Sequence, residues 1–215
     1  MKNPLVIAIA VLACTLCGIQ KSSAQSASFT FTDNNGVGNA GIYTAGQTVT
    51  FNVFLNFTPG GSVPNVNGVS YWLQQSSGSP SIFSLTNRNM SGSLFSEAQT
   101  PGITYPQAMT PANASDLGAA LASPTGLGAG TYFLAQISIA ISQTAANGTY
   151  TIGSTFAFNR TSVISDDQGR TFAIPEATYT VTVVPDTGST LILLGVSTVV
   201  LAGFASRRSI SALAR

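Results

Sequence analysis

Histidine is absent from this 215-residue chain, and its two cysteines, Cys14 and Cys17, both precede residue 25. Lysine occurs only at Lys2 and Lys21, so residues 25–183 contain none. Each gap excludes a chemistry from that stretch. A Ser-His-Asp triad, a Cys-His pair and a His-ligated zinc site are impossible. A Schiff base or a Ser-Lys dyad would need a lysine. Without cysteine there is no disulfide, and stability must come from the core alone. No glycine-rich phosphate loop of the Walker type is present either.

Charge is scarce as well. Residues 25–183 carry six acids (Asp33, Glu97, Asp116, Asp166, Asp167, Glu176) and three bases (Arg88, Arg160, Arg170), so 3 − 6 gives a net charge of −3. So few cations under an acidic balance argue against nucleic acid as a partner. The hydrolytic route still open is a carboxylate pair acting on a glycosidic bond, with Glu97, Asp116, Asp166, Asp167 and Glu176 as candidates. Isolated surface acids are far commoner than catalytic pairs, and the chain reads as non-enzymatic. Asp33-Asn34-Asn35-Gly36 and Asp166-Asp167-Gln168-Gly169 group oxygen ligands beside a glycine turn, the chemistry Ca²⁺ wants. Neither matches the spacing of an EF-hand loop, and no cofactor is assigned.

What the stretch has in quantity is apolar residues at period two. Val49, Phe51, Val53, Leu55 and Phe57 alternate with polar residues, with Phe54 alone out of step. Val69, Tyr71 and Leu73 repeat the pattern and put Trp72 on the opposite face. Phe133, Ala135, Ile137, Ile139 and Ile141 form the longest run; Phe29 and Phe31 open the domain, and Tyr179, Val181 and Val183 close it. Such alternation in aromatic and β-branched residues marks half-buried strands. Asn35-Gly36, Asn67-Gly68, Asn147-Gly148 and Gln168-Gly169 are turn signals, and residues 146–151 predict a hairpin after the long run. Residues 111–122 predict a short helix capped by Ser115 or Asp116. No βαβ alternation appears. The fold class expected is all-β: an antiparallel β-sandwich of about eight or nine strands, immunoglobulin-like or jelly-roll. Trp72, with Tyr71, Tyr105, Tyr43 and Tyr132 as possible companions, is the candidate for stacking on sugar rings, and the alternative function is a carbohydrate-binding module engaging exopolysaccharide.

The two ends read as addresses. Lys2, an apolar stretch from Pro4 to Ile19 and the small residues Ser22-Ser23-Ala24 compose a signal peptide over 1–24, with signal peptidase cutting between Ala24 and Gln25. Lipoprotein processing at Cys14 is the alternative. At the other end, 184–215, a motif (Val184, Pro185, Asp186, Thr187, Gly188, Ser189, Thr190) precedes a charge-free run over 189–206 and a basic tail over 207–215. As a helix that run would rise about 27 Å, enough for one transmembrane helix. Arg207 and Arg208 place the tail in the cytoplasm and residues 25–183 outside. Pro185 with Asp186 and Gly188 makes the motif a non-helical linker reachable by a protease.

That terminal block resembles the VPDSG variant of the PEP-CTERM sorting signals of Gram-negative bacteria, with Thr187 where the variant usually has serine. The resemblance covers 184–215. It implies recognition by an exosortase, transient anchoring in the inner membrane, cleavage near the motif and transfer to the cell surface or extracellular matrix. The role expected of the exported domain there is structural or adhesive. Residues 46–183 loosely resemble cohesin-like and carbohydrate-binding sandwich domains: Gly-Gln-Thr-Val-Thr-Phe, Val-Asn-Gly-Val-Ser-Tyr, and Ala-Gln-Ile-Ser-Ile-Ala-Ile before Ala-Asn-Gly-Thr-Tyr. No binding residue is carried over from that likeness.

Overall fold

The structure is a computed structural model that describes residues 24–186, except 35, 37, 61–62, 78–80, 99–101, 111–113, 124 and 155–160. The leader through Ser23, motif residues Thr187, Gly188, Ser189 and Thr190, the apolar run and Arg207 and Arg208 lie outside the described residues. Among the described residues no helix is long and apolar enough to cross a membrane.

The first layer is one regular sheet. Its strands are β1 (Ser26–Asp33), β3 (Thr48–Thr58), β6 (Phe83–Asn89), β8 (Gln107–Ala108) and β10 (Gly130–Ile141), in the order β1-β3-β10-β6-β8, and every pair is antiparallel. The expected alternation in β3 holds at each position: Val49, Phe51, Val53, Leu55 and Phe57 are all buried. Phe54 points the other way and meets Phe133 of β10 on the outer face, ring centroids 5.6 Å apart. This corrects the reading of Phe133 as the first core residue of its run. A bulge between Phe133 and Ala135 inserts Leu134, so Leu134 and Ala135 both turn inward and Phe133 outward.

The second layer comes in two pieces. One comprises β2 (Ala40–Thr44), β5 (Gln74–Ser77), β11 (Gly148–Gly153) and β14 (Thr178–Val184), ordered β2-β14-β11-β5. The other comprises β4 (Gly68–Ser70), β7 (Phe95–Glu97), β9 (Ala119–Leu121), β12 (Val163–Ser165) and β13 (Thr171–Ala173), ordered β13-β12-β4-β9-β7. The pieces share two chain paths. Gly153 pairs with Gln74, and after a break Val163 pairs with Ser70, so β4–β5 and β11–β12 run as two long interrupted partners. With these two interruptions and several strands of two or three residues, the described residues form fourteen strands rather than eight or nine.

Ring contacts join the layers. Phe51 stacks on Tyr179 with centroids 4.7 Å apart, and Phe29 meets Tyr71 at 5.4 Å. The layers thus form a sandwich around one apolar core. The pairing is antiparallel except for β2 beside β14, which is parallel.

Three local expectations differ from what is observed. Residues 114–118 are not helical and lead into β9, while 111–113 lie outside the described residues. Pairing of β9 with β4 on one side and β7 on the other outweighs a weak capping signal. Asn147-Gly148 does not close a hairpin, because β10 and β11 belong to different layers and the segment crosses between them. Gly68 opens β4 instead of turning, and a Cβ there would come 2.7 Å from Ser165 Oγ. Gln168-Gly169 does close a hairpin, between β12 and β13, with Gly169 at φ +75°.

Candidate functional site

Arg88 is the residue that organises the ionisable groups. It projects from β6 into the interior opposite Ile137, its side chain only 1% exposed. Its guanidinium crosses to the second layer. Nη2 lies 3.0 Å from Glu97 Oε1, off the line of a good hydrogen bond, and Nη1 donates to the Gly118 carbonyl at 3.5 Å. Glu97 also accepts a long contact from the Ile103 amide. Around this pair stand the phenols of Tyr71 and Tyr105. Burial pushes the Tyr71 phenol up to about 12, against the opposing pull of the Arg88 charge. Burial raises the Tyr105 phenol too, with Arg88 again opposing.

Outside this cluster the β4-β9-β12 surface holds a cleft of about 410 Å³, lined by Ser70, Asp116, Gly118, Ala120, Val163 and Ser165 among others. Ser70 Oγ donates to Asp116 Oδ2 at 2.7 Å. The walls are small and neutral, with one carboxylate, so the cleft can accept hydrogen bonds from a ligand. It does not assemble the two opposed acids that glycoside hydrolysis uses. Glu97 is turned to Arg88, and Glu176 lines a different groove of about 540 Å³ beside β1.

Asp166 closes its own turn. Its Oδ1 accepts from the amides of Gln168 (2.9 Å) and Arg170 (2.8 Å), and its Oδ2 accepts from Arg170 Nε at 2.6 Å. Burial alone would raise its pKa, but the hydrogen bonds from Arg170 and Gln168 outweigh it and hold the carboxyl below the usual range. A cation would have to displace these three donors. Asp33 makes its turn through the backbone, its N–H donating to Gly38 O and its carbonyl accepting from Gly36 N. Among the described residues no three His, Cys, Asp or Glu side chains converge on a metal position.

Trp72 lies between β4 and β5, half-buried, while its neighbour Tyr71 is in the core as alternation requires. Tyr43 and Tyr179 share a hydrogen bond between hydroxyls at 3.2 Å. Burial first, then Tyr43, raises the Tyr179 phenol. The sugar-stacking candidates therefore do not make one platform: Tyr71 is enclosed, Tyr105 borders Arg88, and Tyr132 donates to Gly128 O.

At the ends, Gln25 is tied to the domain through Val63 N–H, which donates to its Oε1 at 3.0 Å; Ala24 is exposed. Val184 is the last residue of β14, paired with Thr44, and Pro185 and Asp186 follow as exposed, non-helical chain.

Among solved structures, a chain of a CaDoc0917–CaCohA2 complex superposes with a TM-score of 0.51 at 10% identity, covering 74% of this chain and all of that one. The fold is cohesin-like. The solution structure of CaCohA2 from Clostridium acetobutylicum matches at 0.47 and 13% identity over 74% of this chain and 91% of that one. A type I cohesin–dockerin complex from Clostridium thermocellum, Coh-OlpA with its dockerin, also matches at 0.47, with 11% identity over 74% and 99%. No protein-family profile matches the chain, and no curated protein matches it. At such identity the likeness is one of fold, not of binding residues.

Sequence reasoning missed two features. In the sequence Arg88 stands as one of three bases, with no local pattern that marks it as the link between layers. The Phe54–Phe133 pair was also missed, although Phe54 was visible as the one apolar residue on the polar side of β3.

Proposed function

We propose that this is an exported, exosortase-sorted protein whose cohesin-like sandwich serves a non-enzymatic, adhesive or structural role at the cell surface or in the extracellular matrix. The observation that carries the reading is the junction at Val184. The last strand of the sandwich ends there, and Pro185 and Asp186 leave it as exposed, non-helical chain. A processing enzyme could reach this segment without unfolding the domain. The dispersal of Glu97, Asp116 and Glu176 into separate settings supports a role without catalysis, and the structural neighbour solved in a complex supports a role in attachment.

Signal peptidase and an exosortase are the processing partners on this reading, the inner membrane is a transient anchor, and nucleic acid is not a partner. The test is fractionation of cells carrying the full chain and a variant with Pro185→Ala and Asp186→Ala. The full chain should reach the surface or medium, and the variant should accumulate in the inner membrane. Equal distribution of the two would overturn the sorting part of the proposal.

A further inference from the structure

The outer face of the first sheet carries no charged side chain from Ser26 to Thr32, along β3 or along β10. It is built instead from amides and hydroxyls in register. Ser28, Asn56 and Thr131 form one row, Thr30, Phe54 and Phe133 the next, and Thr32, Asn52 and Gln136 a third. The rows are tied together. Asn56 Nδ2 donates to Thr30 Oγ1 at 2.7 Å, and Thr131 Oγ1 donates to Asn56 Oδ1 at 2.7 Å. Gln136 Nε2 donates to Asn34 Oδ1 at 3.1 Å and to Asn52 Oδ1 at 3.4 Å. These side chains are exposed or half-buried, and the tilted Phe54–Phe133 pair stands among them.

We propose that this face binds a neutral polysaccharide, through the amide rows of Asn52, Asn56 and Gln136 and apolar contact with Phe54 and Phe133. The proposal rests on the exported, adhesive reading, which is what puts the face in contact with a glycan. Three arguments select this occupant. Sugar hydroxyls both donate and accept, and a carboxamide offers two donors and an acceptor with two lone pairs, so each amide keeps capacity beyond its internal bond. The internal bonds hold the amides in place beforehand, which lowers the ordering cost of binding. Charge argues against a polyanion: residues 25–183 have a net charge of −3, and β1 from Ser26 to Thr32, β3 and β10 supply no cation to this face.

The experiment is affinity electrophoresis of the full chain in neutral detergent, through native gels containing hydroxyethylcellulose, dextran, soluble starch or polygalacturonate. At least one neutral polymer should retard the protein, and the acidic one should not. The near-isosteric variants Asn52→Asp, which keeps the Oδ1 acceptor, and Gln136→Glu, which also removes the Nε2 donor to Asn34 and Asn52, introduce charge with little change of side-chain volume; each should weaken retardation about tenfold. Thr131→Ala, which leaves the core untouched, should weaken it less. Failure of all neutral polymers to retard the protein, stronger retardation by polygalacturonate, or full retention of binding by both charged variants would overturn the proposal. Because the gel reads binding and not export, its failure would leave the fractionation result standing.

Discussion

The two layers of this sandwich solve the same burial problem in opposite ways. The first sheet is continuous, obeys period two over eleven residues of β3, and presents an uncharged outer face. The second layer is broken at residues 71–73, β11 ends at Gly153 and β12 begins at Val163, and polar groups beside these points are met by specific partners. Ser154 Oγ accepts from Ala177 N and the Tyr71 carbonyl accepts from Leu117 N, while Arg88 reaches from the first sheet to Glu97 and Gly118 O of the second. Where a strand is regular, the ladder satisfies its backbone and side chains need only be apolar. Where it is interrupted, polar and ionic groups must close the gap, since a buried unpaired group costs about 1–3 kcal/mol.

The sharpest way to break this comparison is to cut the same residue type from the two faces of one strand. Phe51→Ala empties a position fully enclosed against Tyr179 and should cost about 3–5 kcal/mol in urea denaturation. Phe54→Ala, three residues away on the outer face, should cost about 1 kcal/mol, because its ring is only half-buried against Phe133. Equal losses would mean that the outer face is packed against something.

Next comes the ion pair that joins the two layers, Arg88 of the first sheet with Glu97 of the second. Glu97→Gln leaves the buried Arg88 guanidinium without its countercharge. The expected loss is about 2–3 kcal/mol, below the range for fully enclosed pairs because the Glu97 side chain is 41% exposed. Arg88→Met should cost less, since it removes the buried charge and keeps an apolar stem. The reverse order would show that Arg88 acts mainly through Gly118 O and the two phenols.

Titration separates the layers further. Tyr71 goes from 10.0 to about 12 on folding, so the neutral phenol is favoured in the native state. Its contribution is whole below pH 10 and is lost as pH rises from 10 toward about 12, with Tyr179 acting in the same direction. Thermal melts should therefore fall across that window, and Tyr71→Phe should flatten part of the fall. At the acid end Asp166 behaves with the opposite sign. Its depressed carboxyl contributes stability above the ordinary value of 3.8, lost as pH falls through the native pKa. Asp166→Asn should remove that acid sensitivity and produce the smallest change at neutral pH.

The regular layer was the legible one. Period two in β3 named the core face position by position, and the Gln168-Gly169 turn was correctly placed because Gly169 needs a positive φ. The bulge at Leu134 was hidden, since an all-apolar stretch such as Phe133-Leu134-Ala135 carries no alternation to reveal a slip. The crossing at Gly148 was hidden because a glycine turn between two strands looks alike whether they pair or belong to different sheets. The Arg88 cluster depends on contacts between residues far apart in the chain, such as Arg88 with Gly118, that no local pattern encodes. The outer amide rows were present as composition, an excess of Asn, Gln, Ser and Thr, but their alignment came only with the register.

The measurement that bears most directly on the central claim is the intact mass of the mature protein recovered separately from cell envelope and culture medium. The account predicts a chain that begins at Gln25 and ends within Val184, Pro185, Asp186, Thr187, Gly188, Ser189 and Thr190, with or without an added group at that end. A chain running intact to Arg215 in the membrane fraction, with none in the medium, would contradict it.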